Sequence, residues 1–284
     1  MVAYLNNQFI EENKAVIGVN DIAIQRGYGM FDYFRTSDYH PLFIDDYLDR
    51  FFNSARLLRL KPPHSREKIK TIIDEMIRRN NIADAGFRLI LTGGYSNDNF
   101  EIGEPNFIIL QQPVSLPSAA QFQKGYSVVL HEFQRDVPYA KSINYLRSIY
   151  LLDEIREKKA NDVLYHKDNC ILELPRANIF IINKDGGVVT PLLNVLPGIT
   201  RKRVLEIADK VYKVEERNIT INELKKATEV FITSTTKRIL PVLKIDNKPV
   251  GDGKPGLITT ALLDLYVEME NSILRKVAYR YQFI

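Results

Sequence analysis

The chain has 284 residues, enough for two modest domains or one large one, and 45% of them are hydrophobic and 26% charged, a composition typical of a soluble globular protein. Its formal net charge is only +4 and its basic residues are scattered, which argues against nucleic-acid binding. The single cysteine excludes an intramolecular disulfide, and no apolar run approaches the roughly 18 residues that span a bilayer. We therefore expect a cytoplasmic protein that acts on neither nucleic acid nor membrane.

The first part of the chain alternates strand and helix patterns. The elements predicted there are a hairpin over 3–9, strands over 30–36 and 41–44, helices over 45–60 and 65–80, and strands over 88–92 and 106–111. Asp45-Asp46 is expected to cap the first helix, because a carboxylate can accept the free N–H groups of a helix start. A stretch rich in proline and serine, 113–121, predicts a linker. We therefore predict a small α/β domain over residues 1–113, an interdomain linker over 114–121 and a larger domain over 122–284.

The second part combines short strands with helices. The elements predicted there are a strand over 126–131, a helix over 145–159, strands over 163–166, 170–174, 178–183 and 188–190, helices over 200–211 and 220–227, a strand over 229–233 and a helix over 256–270. The short polar segments 167–169 and 184–187 are typical of turns between antiparallel strands. The pattern predicts an α+β fold with mainly antiparallel strands and flanking helices.

Two positions in this part have local features that suit binding. Glu173 is predicted to lie mid-strand among apolar residues, where a buried carboxylate needs a partner and an exposed edge-strand carboxylate needs none. Gly198-Ile199-Thr200 precedes a predicted helix, with Thr200 as its N-cap. The free N–H groups of such a helix start suit an anion, although a capped helix that binds nothing fits the same pattern.

Several segments, read in order, carry a family resemblance. They are RGYGMFD (26–32), YAKSINYL (139–146), ILELPRANIF (171–180), TP (190–191) followed by LPGITR (196–201), and EVFITSTT (229–236) followed by PV (241–242). Together they resemble the class IV aminotransferases, a family that includes D-amino acid aminotransferases, branched-chain amino acid aminotransferases and aminodeoxychorismate lyases. The resemblance implies a two-domain fold type IV enzyme whose larger domain binds pyridoxal 5′-phosphate.

The resemblance also implies a role for individual residues. Lys141, just before a helix that Ser142 or Asn144 would cap, carries the cofactor as a Schiff base and later moves the substrate proton. Glu173 pairs with the pyridine nitrogen and keeps it protonated. The other cofactor-binding positions are Arg50, Ile199, Thr200 and Thr235 at the phosphate, Leu196 on one ring face, and Asn178. Arg50 could instead pair with Asp46 across one helical turn.

The chain departs from the family pattern at two places. Residues 174–177 read Leu-Pro-Arg-Ala, where most relatives have glycine and small hydroxyl residues. The loop after Thr92 lacks the arginine and histidine that commonly bind the carboxylate in D-amino acid enzymes. We expect Arg26 and Arg88 to bind the substrate carboxylate instead, with Lys237 as a third candidate, although each could form a structural ion pair. Phe31, Tyr33 and Tyr95 are expected to line an apolar side-chain pocket.

These residues leave three functions open. The leading one is transamination between an amino acid and a 2-oxo acid, with a D-amino acid such as D-alanine favoured and a branched-chain L-amino acid next. A lyase of the aminodeoxychorismate type is the second, because the same cofactor supports elimination. A non-catalytic binding protein on the same fold is the third. The resemblance further implies a homodimer with active sites near the subunit interface, and no metal.

Overall fold

A computed structural model describes residues 1–281 of the chain, with side chains through Lys276. The chain divides into two compact units. The first unit comprises Met1–Ser115 together with Ala140–Asn144, and the second comprises Leu116–Tyr139 and the chain from Tyr145 onwards. Among the described residues, no helix is both long and apolar enough to cross a membrane.

The first unit is built on one antiparallel sheet. Its elements are β1 (Val2–Leu5), β2 (Gln8–Glu11), a 3₁₀ turn (Glu12–Lys14), α1 (Ile22–Arg26), β3 (Gly29–Ser37), β4 (His40–Pro41), α2 (Ile44–Leu57), α3 (Arg66–Asn80), β5 (Ala85–Thr92) and β6 (Phe107–Pro113). The strand order is β2-β1-β6-β5-β3-β4, and every pairing is antiparallel. The sheet therefore has β3 next to its edge.

One face of this sheet forms the core of the first unit. Side chains alternate along a strand, so β3 directs Phe34 to the buried face and Phe31 and Tyr33 to the opposite one. Phe34 stacks on Phe87 of β5 with ring centroids 5.0 Å apart. Phe51 of α2 meets Phe107 of β6 edge to face at 5.9 Å, which places α2 against the buried face. On the opposite face, Phe31 and Tyr33 are half-buried.

The second unit is built on a larger mixed sheet. Its elements are α4 (Ala119–Lys124), β7 (Tyr126–Glu132), α5 (Leu146–Tyr150), α6 (Leu152–Glu157), β8 (Asp162–Lys167), β9 (Cys170–Ile171), β10 (Asn178–Ile182), β11 (Val188–Thr190), α7 (Ile199–Ala208), β12 (Val214–Glu216), α8 (Ile221–Lys226), β13 (Glu229–Ser234), β14 (Arg238–Ile245), β15 (Lys248–Pro249) and α9 (Leu257–Tyr281). The strand order is β12-β11-β10-β13-β14-β7-β8-β9, with β15 also paired to β14. Within the described residues, the β11–β12, β14–β7 and β7–β8 pairings are parallel and the others antiparallel.

The core of the second unit lies on β10 and β13. Phe180 and Phe231 sit directly opposite each other on these strands and stack at 4.8 Å with almost parallel rings. Both side chains are completely buried. A fully buried pair of central strands explains the uninterrupted apolar runs at 179–182 and 230–232, which carry no alternation. Polar residues stand at adjacent ends of these strands: Asn178 at the start of β10, and Thr233 and Ser234 at the end of β13.

The predicted α+β class with mainly antiparallel strands is confirmed. The hairpin, the strand over 30–36 and the helix over 65–80 are also confirmed, and Ser65 caps that helix by accepting the Lys68 N–H at 3.2 Å. The turns at 167–169 and 184–187 join antiparallel strands as predicted.

Several boundaries were predicted wrongly. The strand over 41–44 ends at Pro41, because Phe43 adopts left-handed backbone (φ 55°) and α2 begins at Ile44. Asp45 does not cap α2, since its carboxylate accepts from Lys70 Nζ of α3 at 2.6 Å, which lowers its pKa. The helix over 145–159 breaks at Leu151 into α5 and α6, and the strand over 170–174 ends at Ile171. The strands β12, β14 and β15 and the helices α1 and α4 were not predicted.

Candidate functional site

Lys141 lies in a short extended segment that belongs to the first unit. The Phe31 N–H donates to the Lys141 carbonyl at 2.9 Å, and the Ile143 N–H donates to the Gly29 carbonyl at 3.1 Å. Ser142 bridges Met30 in the same antiparallel register. The segment therefore continues the edge of the first sheet beside the start of β3. The predicted cap at Ser142 or Asn144 is wrong, because the next helix begins at Leu146 without a side-chain cap.

Two further contacts fix the lysine. The Lys141 N–H donates to Ser54 Oγ at 3.2 Å, and Ser54 is a fully buried residue of α2. The Lys141 Nζ lies 4.5 Å from the centroid of the Phe31 ring. Gly29 allows this close pairing, because a Cβ there would lie 3.0 Å from both Ile143 Cδ1 and the Leu91 carbonyl oxygen. The main chain of the lysine is thus held on two sides.

The predicted substrate-binding residues Phe31, Tyr33 and Arg88 share one face of the first sheet. Arg88 lies directly opposite Tyr33 in the β3–β5 register, and its guanidinium carbon is 5.6 Å from the Phe31 ring centroid. Burial raises the pKa of Tyr33, with a smaller opposing effect of the Arg88 charge. The structure therefore brings an aromatic ring, a phenol and a guanidinium together on the face that also carries the Lys141 amine.

Arg50 is held by a carboxylate that the sequence did not single out. Its Nε donates to Asp32 Oδ2 at 2.9 Å and its Nη2 to Asp32 Oδ1 at 2.6 Å. Both side chains are buried, with 6% of Arg50 and 1% of Asp32 exposed. A two-pronged pair of this kind fixes the plane of the guanidinium.

Glu173 follows β9 and does not lie mid-strand as predicted. Its carbonyl accepts the Tyr165 N–H at 3.0 Å, after which Leu174 pairs with Ala177 across a tight turn. The side chain is nevertheless buried, with 5% of the residue exposed. Its Oε1 accepts Arg135 Nε at 2.8 Å and also contacts Arg135 Nη2. Of the two alternatives for Glu173, the structure shows the buried carboxylate with a partner, and that partner, Arg135, was not predicted.

The second oxygen of Glu173 joins a network that fixes the loop before α7. Glu173 Oε2 accepts the Leu196 N–H at 2.9 Å, and Asn178 Nδ2 donates to the Leu196 carbonyl at 2.9 Å. Asn178 Nδ2 also lies 3.4 Å from Glu173 Oε2. Gly198 is required for this packing, because a Cβ there would lie 2.0 Å from Asn178 Oδ1. The predicted residues Glu173, Asn178 and Leu196 therefore form one connected group.

The start of α7 and the end of β13 carry buried hydroxyl groups. The helix begins at Ile199 after Gly198, so Thr200 lies inside the first turn and is not the predicted N-cap. Within the described part of the chain, Thr200 Oγ1 has no hydrogen-bond partner, and the same holds for Thr233 Oγ1 and Ser234 Oγ of β13. The first N–H groups of a helix also lack intrahelical partners, so this region presents donors suited to an anion. Thr235 follows directly after β13.

The remaining predicted substrate-binding residues are Arg26 and Lys237. Arg26 ends α1, is exposed, and donates from Nη1 to the Gln25 carbonyl at 3.1 Å. Lys237 is half-buried, with its Nζ 5.8 Å from the Tyr126 ring centroid. Burial lowers the pKa of Lys237, and the Arg176 charge adds to this effect. The role of Arg26 and Lys237 at the substrate carboxylate stays a prediction.

Two residues that contact predicted site residues were not predicted from the sequence: Arg135, which contacts Glu173, and Asp32, which contacts Arg50. Arg135 stands in the polar run Gln-Arg-Asp (134–136), which carries no pattern of its own. Asp32 lies within the segment 26–32, but alternation along β3 was the only signal that it points to the buried side. Among the described residues, no cluster of three or more histidine, cysteine or acidic side chains could hold a metal ion.

The chain is similar to known proteins over most of its length. A family model described as "Amino-transferase class IV" matches residues 29–245. The D-alanine aminotransferase of Listeria innocua is 30% identical over 280 residues, covering 94% of this chain and 96% of that protein. The D-alanine aminotransferase of Staphylococcus haemolyticus is 28% identical, with 95% and 99% covered.

Solved structures of the same family also resemble the chain. A branched-chain amino acid aminotransferase with pyridoxamine 5′-phosphate superposes with a TM-score of 0.87 at 25% identity, covering 94% of this chain and 93% of that one. The branched-chain aminotransferase of the archaeon Thermoproteus uzoniensis with norvaline gives a TM-score of 0.84 at 25% identity, again covering 94% and 93%. The predicted fold type IV class is thereby confirmed.

Proposed function

Because the chain belongs to the class IV aminotransferases and is therefore a pyridoxal-phosphate-dependent transaminase, we propose that it transfers the amino group of a D-amino acid such as D-alanine to a 2-oxo acid. One observation carries this proposal: the Lys141 amine shares a sheet face with Phe31, Tyr33 and Arg88. An amine that must react with a bound carbonyl needs this kind of fixed position beside substrate-binding groups.

The residues present fit the cofactor. A phosphate would satisfy the buried Thr200 Oγ1 and the N–H groups at the start of α7. We assign Ile199, Thr200 and Thr235 to the phosphate, together with Arg50, whose guanidinium plane is fixed by Asp32. In the same proposal Glu173 and Leu196 hold the pyridine ring, and Asn178 fixes the position of Leu196.

The chemical roles follow from these assignments. Bound pyridoxal 5′-phosphate supplies an electron sink for the charge that develops at the substrate Cα. Lys141 would hold the cofactor and would move the proton at the substrate Cα. Glu173 would hold a proton on the ring nitrogen. Phe31 and Tyr33 exclude water from the face on which the amine lies.

Substrate choice depends on the group that binds the α-carboxylate. We propose Arg88 for this role together with Arg26, and Lys237 as the third candidate, because a guanidinium binds a carboxylate through two parallel hydrogen bonds. A D-amino acid is favoured by the similarity to D-alanine aminotransferases over nearly the whole chain. The aromatic pair Phe31 and Tyr33 favours a second candidate, a branched-chain L-amino acid, since these rings offer apolar contact to a side chain.

The test is the absorbance spectrum of the purified protein, titrated first with D-alanine and then with L-leucine. We expect a visible absorbance band from the lysine-bound cofactor, and its absorbance should fall when D-alanine is added. A fall with L-leucine alone would assign the branched-chain activity instead. A band that neither amino acid changes would contradict both and favour the lyase. Lys141→Ala should remove the visible band, while Lys61→Ala, an exposed lysine of the same unit, should leave it unchanged.

We also propose a homodimer. The short helix α5 exposes three large apolar side chains, with 77% of Leu146, 64% of Ile149 and 75% of Tyr150 accessible to solvent. A cluster of such side chains on one helix is typical of a contact surface. Light scattering should give twice the chain mass, and Ile149→Lys should shift the protein towards the monomer. A monomeric wild type with full activity would refute the dimer.

A further inference from the structure

Arg135 is in direct contact with the buried carboxylate of Glu173. Its Nε donates to Glu173 Oε1 at 2.8 Å, and its Nη2 contacts the same oxygen. Nη2 also donates to the Pro138 carbonyl at 2.6 Å. The Arg135 side chain is only 18% exposed, so solvent screens its charge weakly. Glu173 therefore faces a fixed positive charge on its Oε1 side.

The same segment of chain holds the Oε2 side. Tyr139, four residues after Arg135, accepts the Asn194 N–H on its hydroxyl at 3.1 Å. Asn194 belongs to the loop whose Leu196 N–H donates to Glu173 Oε2. The segment 135–139 thus contacts the carboxylate directly through Arg135 and supports its other partner through Tyr139. Such an arrangement leaves Glu173 little freedom to rotate.

We propose that Arg135 is a positioning residue that keeps Glu173 ionised and correctly oriented, so that a ring nitrogen bound to Glu173 carries the proton. A guanidinium in contact with a carboxylate stabilises its ionised form and lowers its proton affinity. Because Arg135 touches the carboxylate itself, its loss raises the proton affinity of Glu173 more than that of a group bound to Glu173. The shared proton then moves from the ring nitrogen to Glu173. This inference rests on the proposed function, in which Glu173 binds the ring.

The test replaces the cofactor in the full-length protein by pyridoxine 5′-phosphate, which has the same ring nitrogen and phosphate but no aldehyde. Its ultraviolet spectrum reports ring protonation independently of Lys141 and of turnover. We expect a protonated ring in the wild type and an unprotonated ring in Arg135→Gln. Arg135→Lys, which keeps the charge, should restore the protonated spectrum. If the glutamine variant does not fold, Arg135→Met fills a similar volume without charge and carries the same expectation.

Steady-state kinetics of the holoenzyme give a second readout. Loss of a hydrogen bond to a charged group predicts a fall in kcat of about 10- to 100-fold in Arg135→Gln, with a much smaller change in the amino-acid KM. Arg238→Gln is the matched control, because Arg238 donates from Nε to the buried Glu270 at 2.7 Å and its loss likewise removes the cation from a buried carboxylate. This control should lower the melting temperature but leave the ring spectrum and kcat near their wild-type values.

Glu173→Gln separates the two proposals. An unprotonated ring in Glu173→Gln together with a wild-type spectrum in Arg135→Gln would overturn the role of Arg135 and leave the proposed function intact. A wild-type spectrum in Glu173→Gln would show that Glu173 does not bind the ring nitrogen, and would overturn that part of the proposed function. Equal spectral changes in Arg135→Gln and Arg238→Gln would reduce Arg135 to a structural ion pair.

Discussion

Lys141 and Glu173 are held in place by different kinds of contact. Lys141 is held through its main chain, by the Phe31 N–H, the bridge of its neighbour Ser142 and the Ser54 hydroxyl. Glu173 is held through its side chain, by a guanidinium on one oxygen and by the Leu196 N–H on the other. A residue held by main-chain hydrogen bonds tolerates a change of side chain but not a change of backbone spacing. A residue held by a charged partner depends on the identity of a few side chains.

Arg50 of the first unit is held as Glu173 is, through its side chain and by a residue of opposite charge. Asp32→Asn removes the charge of its buried partner and leaves a desolvated guanidinium, which should cost about 3–5 kcal/mol of unfolding free energy. Urea unfolding measures this loss. Asp38→Asn, an exposed aspartate just after β3, is the control and should change stability little. An Asp32→Asn protein as stable as wild type would show that the charge does not hold Arg50.

Gly198→Ala should have the next largest effect, because its Cβ would lie 2.0 Å from Asn178 Oδ1. Overpacking of this kind costs about 1–3 kcal/mol and should displace the loop that carries Leu196. We expect weaker cofactor binding, measured by equilibrium dialysis. In the double variant with Asn178→Ala the clashing atom is gone, so Gly198→Ala should add little further loss. An unchanged loss in that background would place the cause elsewhere.

Gly29→Ala tests the main-chain anchor of Lys141. Its Cβ would lie 3.0 Å from Ile143 Cδ1 and from the Leu91 carbonyl oxygen, so either the lysine segment or β5 must shift by a few tenths of an ångström. We expect a loss of about 1–2 kcal/mol in thermal unfolding and slower incorporation of the cofactor at Lys141. Ile143→Val should recover part of the loss by shortening one of the two contacting groups. No recovery would assign the strain to the Leu91 carbonyl.

Ser54→Ala should have the smallest effect. It removes the hydroxyl that accepts the Lys141 N–H, at a cost of about 1 kcal/mol for one buried hydrogen bond. Because the bonds to β3 remain, the absorbance band of the lysine-bound cofactor should persist. Loss of that band in Ser54→Ala, but not in Ser37→Ala at the end of β3, would mean that the side-chain acceptor dominates the anchor.

Most elements could be predicted from the sequence because their signals are local. Ser65 caps α3 within three residues, and the turns at 167–169 and 184–187 contain their own turn-forming residues. One error arose where a distant residue decides the outcome. Asp45 was expected to cap α2, but Lys70, 25 positions away, engages its carboxylate.

The candidate site also contains residues that could be predicted from the sequence and residues that could not. The motif residues Glu173, Asn178 and Leu196 were expected together and share one hydrogen-bond network. Arg135 could not be predicted, because it contacts Glu173 from 38 positions away and lies in a run with no periodicity. The pairing of Lys141 with Phe31 joins residues far apart in the chain and uses main-chain atoms, which leave no trace in the choice of side chain.

The grouping of Ala140–Asn144 with the first unit has a consequence for the order of synthesis. Residues 1–115 leave the ribosome first, yet the segment that pairs with Gly29 and Phe31 is translated only after the opening stretch of the second unit. The first unit is therefore incomplete at the moment its own 115 residues are free to fold. Its last backbone hydrogen bonds form only after residue 144 has emerged. The main-chain anchor of the lysine therefore cannot form before the opening stretch of the second unit has been translated.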